Sequence, residues 1–226
     1  RVIAPDLMGF GASDRIPEYE DYNFEHQAEI VIELMQNLGI NEWEQVTHDM
    51  GGLVTLHMAR LVPEKISHLY LLNTIVYKDT FHPPADFNYE NKLHRWFLEL
   101  HAHPIIGKLI VNNMLRSGTD YHMFTASDRA GYWLPIRYGA GALVHFFTHT
   151  SEIKNNIDEY RSWLVSSNIP TSIIWGEDDP FLGIESVVFL QNEMNIPDDS
   201  ILILEDKKHV IAEESFAEIA EFIINK

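Results

Sequence analysis

The sequence predicts an α/β protein, a mostly parallel sheet flanked by helices and interrupted by a helical insertion. Three observations carry that expectation. Short apolar runs alternate with segments of helical period, and they do so toward both ends of the chain. The junctions between them hold clusters of Gly, Pro and Asp that end one element and open the next. Between Tyr77 and Trp163 the strand alternation disappears, and three of the five Trp residues gather there.

Taken in order, Val2 to Ala4 is apolar and stops at Pro5-Asp6, with Gly9 and Gly11 beyond, which predicts a strand and a turn-rich loop. This opening reads as the middle of a strand, so further strands are expected upstream. Asn23 to Leu38 carries Ile30, Leu34, Met35 and Leu38 at helical spacing and ends at Gly39. Trp43 to Val46 is a short strand running into His48-Asp49-Met50-Gly51-Gly52. Leu53 to Val62 is a helix closed by Pro63, and His68 to Leu72 is a third strand. After the insertion, Thr171 to Trp175 resumes the sheet, followed by the loop Gly176-Glu177-Asp178-Asp179-Pro180. A helix over Glu185 to Met194, a strand over Ser200 to Leu204, a loop with His209 and a helix from Glu213 complete the chain. The expected layout is one core, 1–76 and 165–226 without its N-terminal strands, and a helical cap over 77–164.

A chain of 226 residues is ample for a sizeable core. With 16 Lys+Arg against 34 Asp+Glu, its formal charge of −18 repels phosphate backbones and anionic lipid, so neither nucleic acid nor membrane is expected as a partner. No apolar run approaches the ~20 residues of a bilayer span. The absence of Cys excludes disulfides, thiolate metal sites and a Cys nucleophile, and fits a reducing, cytoplasmic location. Neither the pair His101 and His103 nor the pair His145 and His149 brings a third metal ligand. Gly9-Phe10-Gly11 lacks the rest of a nucleotide-binding fingerprint, so no metal and no cofactor are expected.

The chemistry concentrates at Thr47-His48-Asp49-Met50-Gly51-Gly52, which lies between a strand and a helix. That is the spacing of a nucleophile elbow, where the central residue sits on a strained turn and small residues let the helix approach the strand. The central residue is Asp49, with a helix N-terminus directly behind it. On this segment the chain resembles the α/β-hydrolase fold, in its aspartate-nucleophile branch of haloalkane dehalogenases and epoxide hydrolases. Pro5-Asp6-Leu7-Met8-Gly9-Phe10-Gly11-Ala12-Ser13-Asp14 is similar to the loop after the family's fourth strand, and Asp21-Tyr22-Asn23-Phe24-Glu25 to a dehalogenase helix entry. Trp175-Gly176-Glu177-Asp178-Asp179 and His209-Val210-Ile211-Ala212-Glu213-Glu214 resemble the acid and histidine segments. Asp49, Asp179 and His209 follow the order nucleophile, acid, histidine. Members with the acid after the sixth strand would hold it near Asn73-Thr74, where there is no carboxylate, so Asp179 is the expected acid, with Asp178 as the alternative. Lys207-Lys208 stand before His209 where the family usually has Gly.

The resemblance implies a two-step hydrolysis. A carboxylate is already charged at pH 7 and can displace a leaving group from an sp³ carbon to form an alkyl ester. His209, oriented by Asp179, would then activate water against that ester. The backbone N–H of Met50 would supply one oxyanion donor and an upstream loop the other, so a chain without that loop is expected to be a poor catalyst. Dehalogenases hold the departing halide with two N–H donors, one usually from a Trp after the nucleophile. Here that position is Met50, which has no side-chain donor. Trp96 is then the candidate halide donor, with Trp133 behind it. Epoxide hydrolases use cap tyrosines instead, for which Tyr132, Tyr138 and Tyr160 are available. The segment Tyr160-Arg161-Ser162-Trp163-Leu164 looks more like dehalogenases. The expected substrate is small, neutral and apolar, hydrolysed with water by a monomer or homodimer through cleavage of a carbon–halogen bond. The alternatives are an epoxide hydrolase and a catalytically silent protein of the same fold that binds an apolar ligand.

Overall fold

The computed structural model describes residues 1–226 except 18, 84–86, 88–90, 101, 102 and 104, and leaves the side chains of 19, 20, 98 and 137 undescribed. Four strands, β1 (Trp43–Asp49), β2 (Ile66–Thr74), β3 (Thr171–Gly176) and β4 (Ile201–Leu204), lie side by side in chain order, each pair parallel. Among the described residues ten α-helices surround them: α1 (Phe24–Asn37), α2 (Gly51–Leu61), α3 (Lys92–Glu99), α4 (Ile106–Gly118), α5 (Ala126–Trp133), α6 (Gly141–Thr148), α7 (Thr150–Ser167), α8 (Glu185–Met194), α9 (Ile211–Glu214) and α10 (Phe216–Ile224). Among the described residues no helix is long and apolar enough to cross a membrane.

Strand alternation divides the core in two. Leu69 and Leu71 of β2, with Ile173 and Trp175 of β3, point into a large cluster built with α1, α2, α7 and α8. Tyr70, Leu72 and Ile174 point the other way, onto Ile211 and the α10 residue Ile219. Burial on both faces makes β2 a continuous apolar run, as parallel sheets require. Helix α1 begins where Asn23 Oδ1 accepts the His26 N–H at 2.8 Å, and it ends at Gly39, whose φ of 70° turns the chain out. Its buried residues Ala28, Ile32 and Met35 recur at i, i+4 and i+7, the stripe that faces α2.

The predicted strands and helices from Asn23 onward all occur, with ends shifted by a few residues. Two details differ. Val2 to Ala4 forms no strand: the edge of β1 away from β2 carries no partner among the described residues, and Val2 is 92% exposed. The closing helix is broken at Ser215, whose φ and ψ of −137° and 32° separate α9 from α10. Between β2 and β3 the described residues form helices α3 to α7 and a single bridge, Phe81 to Leu182, which ties the start of this stretch to the loop after β3.

Candidate active site

Parallel strands end on one side of a sheet, and that side is where loops can gather groups from distant parts of the chain. Asp49 closes β1, Asn73 and Thr74 close β2, Asp179 follows β3 and His209 follows β4. Asp49 has φ 49°, a left-handed conformation that costs a non-glycine residue about 1–3 kcal/mol. The close packing behind it explains the glycines. A Cβ on Gly52 would stand 2.0 Å from the Thr74 Cγ2 methyl, so α2 can lie this near β2 only without a side chain there. Met50 caps α2, which aims the helix N-terminus at the Asp49 turn.

Asp179 is buried, and its carboxylate accepts four hydrogen bonds. Phe181 N–H (2.8 Å) and Leu182 N–H (3.1 Å) donate to Oδ1, while Asn73 Nδ2 (2.6 Å) and His209 Nδ1 (2.8 Å) donate to Oδ2. Asn73 is itself fixed, because its Oδ1 accepts the Gly176 N–H at 2.8 Å. The other imidazole nitrogen, His209 Nε2, lies 3.5 Å from Asp49 Oδ1. Burial acts to lower the His209 pKa, but the Asp49 charge and the Asp179 hydrogen bond outweigh it and hold the imidazole above its usual value. His48 donates from Nε2 to the His209 carbonyl at 2.8 Å, and burial together with neighbouring His209 holds its own pKa down. The His209 imidazole is thus oriented by a buried carboxylate on one side and faces a strained carboxylate on the other. Such an arrangement can deprotonate a water held against the Asp49 side chain.

Asp49 and His209 open into a cavity of about 590 Å³. Its wall is mainly apolar, with Phe10, Met50, Phe81, Leu143, Phe146 and Phe181 prominent, and its polar members include Arg15, Tyr132 and Glu213. The Tyr132 hydroxyl donates to Glu213 Oε1 at 2.5 Å, and burial followed by that bond pushes its pKa up, which keeps the phenol protonated. Arg15 donates to the carbonyls of Ser13, Gly11 and Pro135, joining the early loop to the segment after α5.

Residues 1–216 match the model of the alpha/beta hydrolase fold family. The chain belongs to this family. An uncharacterized hydrolase of Bacillus subtilis, YugF, is 26% identical to this alpha/beta hydrolase over 225 residues, covering 98% of this chain and 78% of its own. A haloalkane dehalogenase of Mycolicibacterium paratuberculosis is 28% identical over 192 residues, 81% of this chain. The chain spans 60% of that relative's length. A thermophilic esterase from Thermogutta terrifontis has the same fold, with a TM-score of 0.73 at 20% identity over 98% of this chain and 77% of its own.

Within the alpha/beta hydrolase frame, Asp49, Met50, Asp179 and His209 come together, and four other candidate residues do not reach the cavity wall. Trp96 is 57% exposed on α3. Trp133, at the end of α5, packs on Val111, Leu115 and Phe124, while its neighbour Tyr132 takes the place on the wall. Tyr138 is 66% exposed. Tyr160 lies against His57 and Trp163, on the side of α2 away from the site. Asp178 is exposed, so the buried Asp179 is the partner of His209. His145 and His149 stack at 4.0 Å, His101 lies outside the described residues, and among the described residues no group of three His, Asp or Glu is placed to hold a metal ion.

Two contributors were not assigned from the sequence. Asn73 stands in the sequence as a position without a carboxylate, and its contact with Asp179 spans 106 residues. His48 stood inside the motif, and its contact with the His209 carbonyl spans 161.

Proposed function

We propose that this chain is a hydrolase that works through a covalent alkyl ester on Asp49, acting on the carbon–halogen bond of a small, neutral, apolar substrate. The observation that carries the proposal is His209 bridging Asp49 and the buried Asp179 through its two ring nitrogens, with Asp49 and His209 on the wall of an apolar cavity. In the first step an Asp49 oxygen attacks the carbon, the C–O bond forms, and the halide leaves with the bonding pair. In the second, His209 Nε2 takes a proton from water and the hydroxide adds to Asp49 Cγ. The backbone N–H of Met50 faces the resulting oxyanion in this reading. The bond between Asp49 Cγ and the alkoxy oxygen then breaks, the alcohol leaves with that oxygen and the proton held by His209, and the oxygen from water completes the restored carboxylate. The helical stretch 77–164 serves as the cap that closes the cavity.

Electrostatics order these steps. While Asp49 is free, its charge raises the His209 pKa. Esterification removes that charge while the Asp179 hydrogen bond remains, so the pKa falls from its raised value and the imidazole is more readily the neutral base when the ester is ready for water. A second reading, epoxide opening, is favoured by one observation: the protonated Tyr132 hydroxyl on the cavity wall could donate to a departing ring oxygen.

The test uses His209→Ala incubated with 1-bromobutane and, separately, styrene oxide, followed by mass analysis of the peptide containing Asp49. A butyl adduct with one bromide released per chain supports the first reading, and a hydroxyalkyl adduct alone supports the second. A folded variant that gains no adduct from either compound would leave the silent ligand-binding protein in their place.

A further inference from the structure

The charge of this protein is unevenly placed. Residues 77–164 hold nine Lys+Arg and nine Asp+Glu, so the entire −18 resides in the rest of the chain. On that neutral stretch lies α3, with Leu93 65% exposed and Trp96 and Phe97 exposed beside it. These three recur at i, i+3 and i+4 and form one stripe. His94, half-buried, packs edge-on against Phe87, and one face of the partly exposed Phe97 lies at 5.7 Å on the same ring. The Phe87 N–H donates to the Phe147 carbonyl, which anchors α3 over the cavity wall and leaves Leu93, Trp96 and the outer face of Phe97 to solvent. The chain carries apolar surface onward at Ile105 and Leu109, both exposed at the start of α4.

The charges at the ends of α3 run against its own dipole. Lys92 opens the helix and Glu99 closes it, whereas a helix favours an acidic first turn and a basic last turn. The mismatch disappears if a second α3 lies antiparallel beside the first. Lys92 then sits by the partner's C-terminal end and its acidic residue, and Glu99 by the partner's N-terminal end. A two-fold axis near Trp96 produces this pairing with one surface used twice. It also brings two strongly negative bodies together through stretches of zero net charge.

We propose that the α3 stripe is the self-complementary interface of a homodimer, with Leu93, Trp96 and Phe97 at its centre and the Lys92–Glu99 pair formed twice between copies. The occupant is a second copy of this chain. This proposal is independent of the chemistry assigned to Asp49.

Analytical ultracentrifugation of the intact chain over a range of concentrations tests it. The expected result is a species of about twice 26.1 kDa that dissociates on dilution. Lys92→Glu or Glu99→Lys alone should raise the dimer dissociation constant about tenfold or more, and the double exchange should restore it. Trp96→Asp should give a monomer, while Phe189→Asp on α8, also exposed, should leave the dimer intact. Far-UV circular dichroism shows that each variant is folded, and the restoring double variant guards against mere misfolding. A monomer at every concentration would overturn the proposal, as would equal weakening by the single and double charge exchanges. Binding of monomer to phosphatidylcholine vesicles, lost in Trp96→Asp, would give the surface to lipid instead.

Discussion

Replacing Asp179 by Asn tests the whole arrangement, because the carboxylate receives four N–H groups and an amide offers one oxygen. If the amide oxygen serves Phe181 and Leu182, its NH₂ faces Asn73 Nδ2 and His209 Nδ1. Asn73 cannot turn over without losing the Gly176 N–H, so two NH₂ groups oppose one another. His209 is then driven to accept at Nδ1 and carry its proton on Nε2, toward Asp49, where a base needs a lone pair. The reverse orientation sets the NH₂ against two backbone N–H groups. Either way buried donors go unmatched, at a cost of about 3 kcal/mol for two groups. For a chain of this length that lowers Tm by roughly 6–12 °C. The wrong tautomer should slow ester hydrolysis by about 10³–10⁴-fold, while alkylation, which needs only Asp49, changes by less than about tenfold. Rapid-mix measurement of bromide release from 1-bromobutane should therefore show one equivalent per chain and then a near stop, with the butyl ester retained. Asp178→Asn, at an exposed carboxylate, serves as the control. Turnover of Asp179→Asn within tenfold of the parent would refute the assigned orientation of His209.

Other expectations follow from the same contacts. Gly52→Ala forces a Cβ against the Thr74 methyl and should cost about 1–3 kcal/mol, with most of the loss recovered in Gly52→Ala/Thr74→Ser, since Ser can keep the hydroxyl bond to the Leu72 carbonyl; denaturant melts of both variants check this. Burial lowers the His57 pKa to about 4, so the native state holds fewer protons there than the unfolded chain, and stability falls as pH drops from 6.5 toward 4. His57→Leu should flatten that part of a Tm-against-pH curve. The raised pKa of His209 acts in the opposite direction: its contribution is full below about pH 6.5 and is lost as pH rises through the raised value. The Tm difference between the parent and His209→Gln should accordingly shrink as pH rises above 6.5 through the raised value. Tyr132→Phe should lower any epoxide turnover by about 10²-fold or more and leave bromide release within a fewfold, as kcat on the two substrates will show.

Much of this site was legible because the fold delivers its groups by local rules. A strained turn of this kind needs a strand, a helix and small residues within six positions, all visible around Asp49, and the residues proposed as acid and base, Asp179 and His209, follow later strands. Placement around the cavity obeys no such rule. Trp96, Trp133 and Tyr138 were candidates by residue type, yet which face of α3 or α5 turns inward depends on packing between distant segments. Thus Tyr132 lines the cavity and the adjacent Trp133 does not. Val2 to Ala4 has strand composition, but composition cannot provide the neighbouring strand that ladder hydrogen bonds require. Asn73 and His48 were present in readable motifs, and their roles exist only through contacts made across more than a hundred residues.

The loop that carries the base is suspended from the helical stretch rather than from the sheet alone. The Gly118 carbonyl, at the end of α4, accepts both the His209 and Val210 N–H groups, at 2.9 and 3.0 Å. Glu214 adds a second tie by accepting the N–H groups of Asp120 and Lys208. Anyone who grafts a foreign 77–164 segment onto this protein to change what fits the cavity will also re-hang its imidazole. In the proposed reaction selectivity and turnover are therefore not separate modules, and a successful exchange must carry the Gly118 turn with it or rebuild the suspension elsewhere.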